Sequence, residues 1–244
     1  MKRMVAVVLG GGTGTRFGAA LPKQLLILNG KTLIEHCVSA FAGVPRNDNG
    51  QGIDEILLVM PRAYHDEAER LVGGRVGAII EGGATRPDSV RNALAHIAAR
   101  YDAAETGVLI HDAARPLVTK QIIADCIAAL HTHDAIGTAV PTSDTILTVE
   151  NGVIAHVPPR ETLYRAQTPQ CFRLATIAKA HALAAADPSF TPTDDCGVVL
   201  RYLPDTPVHV IPGSESNIKV TYPADLAIAE ALLKAAQATT EPPA

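Results

Sequence analysis

Short runs of Val, Ile and Leu alternate along this chain with stretches of helical period, and that alternation leaves few folds open. The runs at 4–9, 55–60, 76–80, 108–111, 137–140 and 208–211 are mostly continuous in apolar residues, as strands covered on both faces require. Between them, Thr32-Leu-Ile-Glu35 reads as a capping box that opens a helix with Leu33, Ile34, Cys37, Val38 and Phe41 on one face. Residues 89–97, 122–130, 174–185 and 224–236 carry similar helical patterns. The expected fold is α/β: one domain over residues 1–238 with a three-layer, mostly parallel, twisted Rossmann-like sheet and helices on both sides. A hydrophobic fraction of 47% in 244 residues supplies the core that this needs.

Two segments break the rhythm. Residues 47–52 are polar and Gly-rich and read as an inserted loop. Residues 142–160 hold two β-like stretches, 145–149 and 153–157, joined by Glu150-Asn151-Gly152 with no helix between them. Asn-Gly between such runs is a hairpin signal, so this segment is expected to project from the sheet as an arm. An arm that carries apolar residues packs on something, and a second copy of the chain is the simplest cover. The tail 239–244, ending in Pro242-Pro243, is expected to be disordered.

The balance of charges excludes some partners. A net charge of −4, with no Trp and 4% aromatic residues, argues against binding nucleic acid or a membrane surface. Cys37, Cys126, Cys171 and Cys196 form no C-x-x-C pair and read as small buried hydrophobes of a reduced, cytoplasmic protein. The apolar run at 4–9 is too short for a signal-peptide core or a membrane span.

The first apolar run leads directly into Gly10-Gly11-Gly12-Thr13-Gly14-Thr15-Arg16-Phe17-Gly18. Glycines allow backbone to approach a ligand closely, and successive N–H groups can wrap phosphate oxygens. A dinucleotide fingerprint would need a glycine where Phe17 stands, and a Walker loop ending in Gly30-Lys31-Thr32 would need one at Leu25. Both common fingerprints therefore fail. What remains is Gly-x-Gly-Thr-Arg16 followed by Pro22-Lys23-Gln24, which sets two cations beside a triphosphate.

This arrangement resembles the nucleotidyltransferases that join a sugar or alditol phosphate to a nucleotide. Later blocks narrow the resemblance: Gly82-Gly83-Ala84-Thr85-Arg86-Pro87-Asp88-Ser89-Val90, His111-Asp112-Ala113-Ala114-Arg115-Pro116, Gln167-Thr168-Pro169-Gln170, Thr193-Asp194 and Asn217-Ile218-Lys219-Val220-Thr221. In this order, over about residues 4 to 234, they look like the 2-C-methyl-D-erythritol 4-phosphate cytidylyltransferases. Two blocks depart from that pattern. The loop lacks the usual Pro-Ala-Ala start, and Thr193-Asp194-Asp195-Cys196-Gly197 replaces Thr-Asp-Glu-Ala-Ser. Both lean toward the ribitol-5-phosphate cytidylyltransferases, while the blocks at 111–116 and 217–221 lean back toward the methylerythritol phosphate group, so the resemblance implies methylerythritol phosphate as acceptor with ribitol phosphate as the alternative.

The resemblance implies a nucleotidyltransferase fold and a reaction in which a substrate phosphate oxygen attacks the α-phosphorus of CTP and displaces pyrophosphate. A phosphate monoester is already nucleophilic at neutral pH, so positioning and cations carry the catalysis. By resemblance, Arg16, Lys23 and Lys219 are the catalytic cations. Gly10, Gly11, Gly12, Thr13, Gly14, Gly83, Ala84, Arg86 and Ser89 contact CTP. Asp112, Thr145, Arg160, Thr193 and Lys219 contact the polyol phosphate, with Thr145 and Arg160 reaching across a homodimer from the arm. Mg²⁺ is expected on the triphosphate, held mainly by phosphates and approached by Asp112.

Several of these residues also have structural readings. Asp88 or Ser89 would cap the helix that follows, and Thr193 would cap another ahead of Asp194-Asp195. Arg115 can pin a loop or meet a phosphate. His111 reads as packed, and His131-x-His133 as a helix end without a third metal ligand. From other classes, a Rossmann-type reductase lacks its third glycine, and a noncatalytic nucleotide sensor would not require Arg16, Lys23 and Lys219 together.

Overall fold

A computed structural model of the chain describes residues 1–11, 22–47 and 50–240. The chain runs through β1 (Arg3–Leu9), the short strands β2 (Ile27–Leu28) and β3 (Lys31–Thr32), α1 (Leu33–Ala42), β4 (Glu55–Met60), α2 (His65–Val72), β5 (Ala78–Glu81), α3 (Arg86–Ala98), β6 (Thr106–Asp112), α4 (Lys120–Ala129) and β7 (Ala135–Pro141). It continues through β8 (Thr148–Glu150), β9 (Val153–His156), β10 (Tyr164–Arg173), α5 (Leu174–Ala185), α6 (Asp195–Tyr202), β11 (His209–Pro212) and α7 (Pro223–Thr240).

Seven strands form one sheet in the order β11-β7-β10-β6-β1-β4-β5. All neighbours are parallel except β10, which runs against both β6 and β7. The apolar runs are continuous because helices cover both faces. Along β1, Met4, Ala6 and Val8 enter a core with Ile34 and Phe41 of α1 and Ile123 of α4. Val5, Val7 and Leu9 face the other way, into a core with Val90 and Leu94 of α3, Ile177 of α5 and Val198 of α6. Each fully buried Val or Leu is worth about 1.5–3 kcal/mol relative to exposure, so neither face of β1 can be given up. A smaller cluster of Leu28, Leu33, Val220 and Ala229 seats α7 against the start of α1. The mostly parallel three-layer sheet expected from the sequence is the fold observed.

The elements that pattern reading passes over have local causes. β10 contains Pro169, which has no N–H to give to a ladder, and its register shifts between Gln167 and Gln170. β2 and β3 meet through Asn29-Gly30, both at positive φ, an Asn-Gly turn signal hidden by the shortness of the strands. α2 buries only Ala68 and Val72, too few apolar positions to mark a period. Two caps differ from expectation. Thr85, not Asp88 or Ser89, caps α3 in a reciprocal box with Asp88. Asp194, not Thr193, caps α6 by accepting from the Gly197 N–H. The box at Thr32 and Glu35 forms as its sequence indicates.

The arm forms as a hairpin, β8 against β9, turning at Asn151 and Gly152, both at positive φ. It leaves the sheet after Pro141 and returns at Tyr164, and those two residues pair with each other in the sheet. Ile146, Leu147, Val149, Val153, Ile154 and Val157 are exposed on it. α7 extends to Thr240, into the segment expected as a tail, and residues 241–244 lie outside the described ones. No helix among the described residues is long and apolar enough to cross a membrane. Cys37, Cys126 and Cys171 are buried as expected, whereas Cys196 is half-buried.

Candidate active site

The parallel strands end on one edge of the sheet, where open α/β sheets place their ligand crevices. Two adjoining cavities lie there. The first, of about 260 Å³, is lined by residues that include Gly11, Lys23, Gly83, Ala84, Arg86 and Ser89. The second, of about 230 Å³, is lined by Arg115, Gln167, Thr168, Gln170, Thr193 and Asp194 among others. Arg86, Asp112 and Lys219 line both cavities and form the wall between them.

That wall is a charge-paired unit. Lys219 Nζ donates to Asp112 Oδ2 at 2.6 Å, and Arg86 Nε lies 3.4 Å from Asp112 Oδ1. Burial alone would raise the Asp112 carboxyl, but the fields of Arg86 and Lys219 outweigh it and hold the group well below the usual carboxylate range. Asp112 therefore stands ionised between two cations. It is the only acid lining the first cavity among the described residues.

Asp112 sits at the end of β6, and its place is fixed by the residues around it. Its N–H donates to Thr168 Oγ1 at 3.1 Å, and the Thr168 hydroxyl lies 3.0 Å from His111 Nδ1. His111 Nε2 lies 3.0 Å from the Arg115 carbonyl, so the ring donates there and accepts from Thr168. Burial lowers the His111 pKa to about 4, which keeps the imidazole neutral at physiological pH. His111 is thus the packed histidine expected from the sequence.

The Lys219 segment is stitched to the same loop. Arg115 donates from Nη1 to the Asn217 carbonyl at 2.7 Å and from Nη2 to the Ala166 carbonyl at 3.1 Å. Buried Asn217 donates from Nδ2 to the Thr168 carbonyl and to Gln167 Oε1. The Val220 N–H closes on the Ala114 carbonyl. Arg115 therefore pins the loops while also lining the second cavity, so the two readings left open for it are compatible.

The remaining expected residues divide by place. Lys23 follows Pro22 in a single 3₁₀ turn and lines the first cavity, with Nζ 3.5 Å from the Val220 carbonyl. Gly11 is on the wall, but Gly10 stands behind it: its N–H bonds to the Val59 carbonyl and its own carbonyl is taken by Gln24 Nε2. Gly83 lies too close to Asp88 for any side chain, and its N–H is taken by Ser89 Oγ at 3.0 Å. Ser89 thus also holds the turn that carries Gly83 and Ala84. Gly12, Thr13, Gly14 and Arg16 lie outside the described residues. Thr145 and Arg160 come together at the base of the arm, Arg160 Nη2 donating to Thr145 Oγ1 at 3.0 Å, but they line neither cavity.

Gln24, Thr168, Gln170 and Asp195 stand within the blocks quoted above, but sequence reading gave them no role. Gln24 and Gln170 are nearly inaccessible, and their roles are contacts made at long range. The signals that could have raised them are polar residues within otherwise buried elements.

The sequence model of the family described as IspD, 2-C-methyl-D-erythritol 4-phosphate cytidylyltransferase, matches residues 4–235. The chain belongs to this family. The 2-C-methyl-D-erythritol 4-phosphate cytidylyltransferase of Thermobifida fusca is 48% identical over 95% of this chain and 94% of its own length. A solved 4-diphosphocytidyl-2C-methyl-D-erythritol synthase from Anaerococcus prevotii superposes with a TM-score of 0.81 at 26% identity, over 96% of each chain. A bifunctional ribulose 5-phosphate reductase/CDP-ribitol pyrophosphorylase of Haemophilus influenzae is 38% identical over 94% of this chain and 48% of its own length. The ribitol-leaning blocks at the glycine loop and at 193–197 thus occur within a chain of the methylerythritol phosphate cytidylyltransferase family.

Proposed function

We propose that this cytidylyltransferase moves CMP from CTP to 2-C-methyl-D-erythritol 4-phosphate with release of pyrophosphate, and that the wall of Arg86, Asp112 and Lys219 is where the two substrates meet. The observation that carries this reading is the sharing of those three residues by two adjoining cavities. One cavity holds Lys23 and the start of the glycine loop, and the other holds Arg115 and Thr193. Triphosphate occupies the first and the polyol phosphate the second. Lys219 then stands between the α-phosphate and the attacking phosphate, where its charge offsets the repulsion of two anions. Lys23 and Arg16 supply positive charge to the triphosphate and to the transferring phosphorus. Asp112 keeps Lys219 oriented and accepts hydrogen bonds from polyol hydroxyls.

The donor set fits magnesium only as an ion held by phosphate. Among the described residues no group of three His, Cys, Asp or Glu can cage a metal, and both oxygens of Asp112 face cations. When bound, Mg²⁺ supplies neutralisation of the triphosphate charge, with Asp112 as the adjacent carboxylate. Thr145 and Arg160 reach the acceptor of a second copy through a homodimer formed by the arm. The enzyme works in the cytoplasm, in keeping with its unpaired cysteines.

The test is pyrophosphate release by purified protein with CTP, Mg²⁺ and methylerythritol 4-phosphate, run beside ribitol 5-phosphate and with UTP and ATP in place of CTP. Turnover with CTP and methylerythritol phosphate is expected. Turnover of ribitol phosphate alone would overturn the acceptor, and turnover of neither acceptor would overturn the reaction.

A further inference from the structure

Behind the shared wall lies a second layer of polar side chains that the reaction as described does not use. Asp195, the first residue of α6, is fully buried, and its Oδ2 accepts from Arg86 Nη2 at 2.8 Å. Its Oδ1 accepts from His181 Nε2 of α5 at 3.0 Å, and His181 is itself almost wholly buried. The Asp195 N–H donates to Gln170 Oε1 at 2.9 Å, while Gln170 Nε2 donates to Asp194 Oδ2 at 2.7 Å. His181 of α5 thus holds the Asp195 carboxylate from behind and Gln170 of β10 holds its backbone, while its outward partner is Arg86.

We propose that Asp195 is the positioning residue for Arg86, fixing its guanidinium between the nucleotide and acceptor cavities. Arg86 is the first residue of α3 and has a long, flexible stem, so without a partner its charge would spread over many rotamers. Asp195 takes Nη2 and Asp112 faces Nε, while Nη1 makes no hydrogen bond among the described residues. Donor capacity is therefore left for an anion in the cavities that Arg86 lines. The contacts are unequal: 2.8 Å to Asp195 against 3.4 Å to Asp112. Asp195 thereby draws Arg86 back from Asp112 and leaves Asp112 to Lys219. Loss of the Asp195 charge lets Arg86 close on Asp112 and compete with Lys219 for it. A charge that is already in place costs no reorganisation at the moment of transfer, whereas a displacement on the order of 1 Å costs up to about a hundredfold in rate. Asp195 touches neither cavity, so its effect on turnover passes through Arg86.

This proposal rests on the cytidylyl-transfer reading, and the test separates the two. In the full chain, Asp195→Asn, Arg86→Ala and the double variant are compared by single-turnover rates and by CTP binding. In parallel, the Arg86 guanidinium is followed by side-chain ¹⁵N NMR without substrates. The expected result is a tenfold to hundredfold fall in rate for Asp195→Asn, with less than a threefold change in CTP affinity. In the Arg86→Ala background the same change is expected to cost less than twofold, and the Arg86 Nε–H signal is expected to sharpen only when Asp195 is present. Equal losses in both backgrounds, or a wild-type rate in a D195N protein whose Arg86 signal has broadened, would overturn it. If Asp195→Asn does not fold, Asp195→Glu decides by the same readouts: an ordered Arg86 with a rate within fivefold of wild type supports the proposal, and a disordered Arg86 at full rate sinks it. A wild-type protein inactive with every acceptor removes the functional reading, while the NMR comparison still reports on the clamp.

Discussion

Lys219 and Asp112 are 107 residues apart in sequence, yet their charged atoms lie 2.6 Å apart at the end of the central strand β6. The contact exists because Arg115 and Asn217 sew the loop after β6 to the segment before α7. Replacing Lys219 with Met keeps much of the stem and removes the charge. The expected outcome is a fall in kcat of about 10²–10³-fold, in line with the loss of one donor aimed at developing charge. Half-exposed Lys219 contributes little to folding, so the thermal midpoint should move by only a few degrees. Steady-state kinetics beside a melting curve checks both, and near-wild-type kcat in a folded K219M protein contradicts the role.

Asp112 makes a pH-dependent contribution whose sign can be worked out. Its carboxyl is buried but is held below its ordinary range by Arg86 and Lys219. The stabilisation is therefore fully present above the unfolded carboxylate range and is lost as pH falls through the depressed folded value. Asp112→Asn should lower the urea midpoint at pH 7, and the gap to wild type should narrow as the pH drops below about 4. A gap that stays constant down to the acid transition contradicts the pairing.

His111 acts in the same sense, in a higher pH window. The unfolded chain takes up a proton near 6.5, whereas the folded ring resists until about 4. Between those values the unfolded state binds more protons, so stability falls as pH drops, by up to about 3 kcal/mol from this residue. Urea titrations of wild type and His111→Gln from pH 7 to pH 4 should therefore converge as the acid is added, because only the wild type carries this penalty. Parallel curves would show that His111 is not held neutral.

A methyl group at Gly83 would clash with Asp88 Cβ and with backbone beyond it. Asp88 is the return half of the box that caps α3, so the clash reaches the cap directly. Gly83→Ala is expected to cost about 1–3 kcal/mol, as overpacking does, and to weaken CTP binding because Ala84 and Ser89 move with the turn. Calorimetry with CTP and a denaturant melt read the two effects. Unchanged affinity in a destabilised protein would place the CTP contacts elsewhere.

The arm offers a test of exchange between subunits. If Arg160 serves the acceptor of its partner, an Arg160→Ala protomer and a Lys219→Met protomer complement each other in a mixed dimer. One of the two sites in that dimer is then intact. Random mixing of the two inactive variants should recover about a quarter of wild-type activity, because half of the dimers are mixed and each has one working site. Mixing without recovery, despite dimers seen by light scattering, would put Arg160 outside the acceptor contacts.

Much of the sheet could be read in advance because burial on both faces writes continuous apolar runs into β1, β4 and β6. β10 could not, since Pro169 interrupts it and polar Gln167, Thr168 and Gln170 are buried there for reasons that lie far along the chain. The same division holds for the site. Lys23, Gly83, Arg86, Asp112 and Lys219 stand in local blocks that carry their own signature. Gln24, Asp195 and His181 act through contacts with distant residues, and no local spacing encodes those. Thr193 lines the second cavity, but which of Thr193 and Asp194 caps α6 was not legible, because the two are equally good cap formers by composition.

The pairing of Pro141 with Tyr164 has a consequence for how such enzymes can change. Because β10 runs antiparallel, the chain departs and returns at the same point, and the sheet closes beneath the arm as though nothing had been inserted. The excursion is a cassette. Its length and its apolar face can change while the strands below keep their register, so what the arm carries is free to vary without disturbing the strand ends.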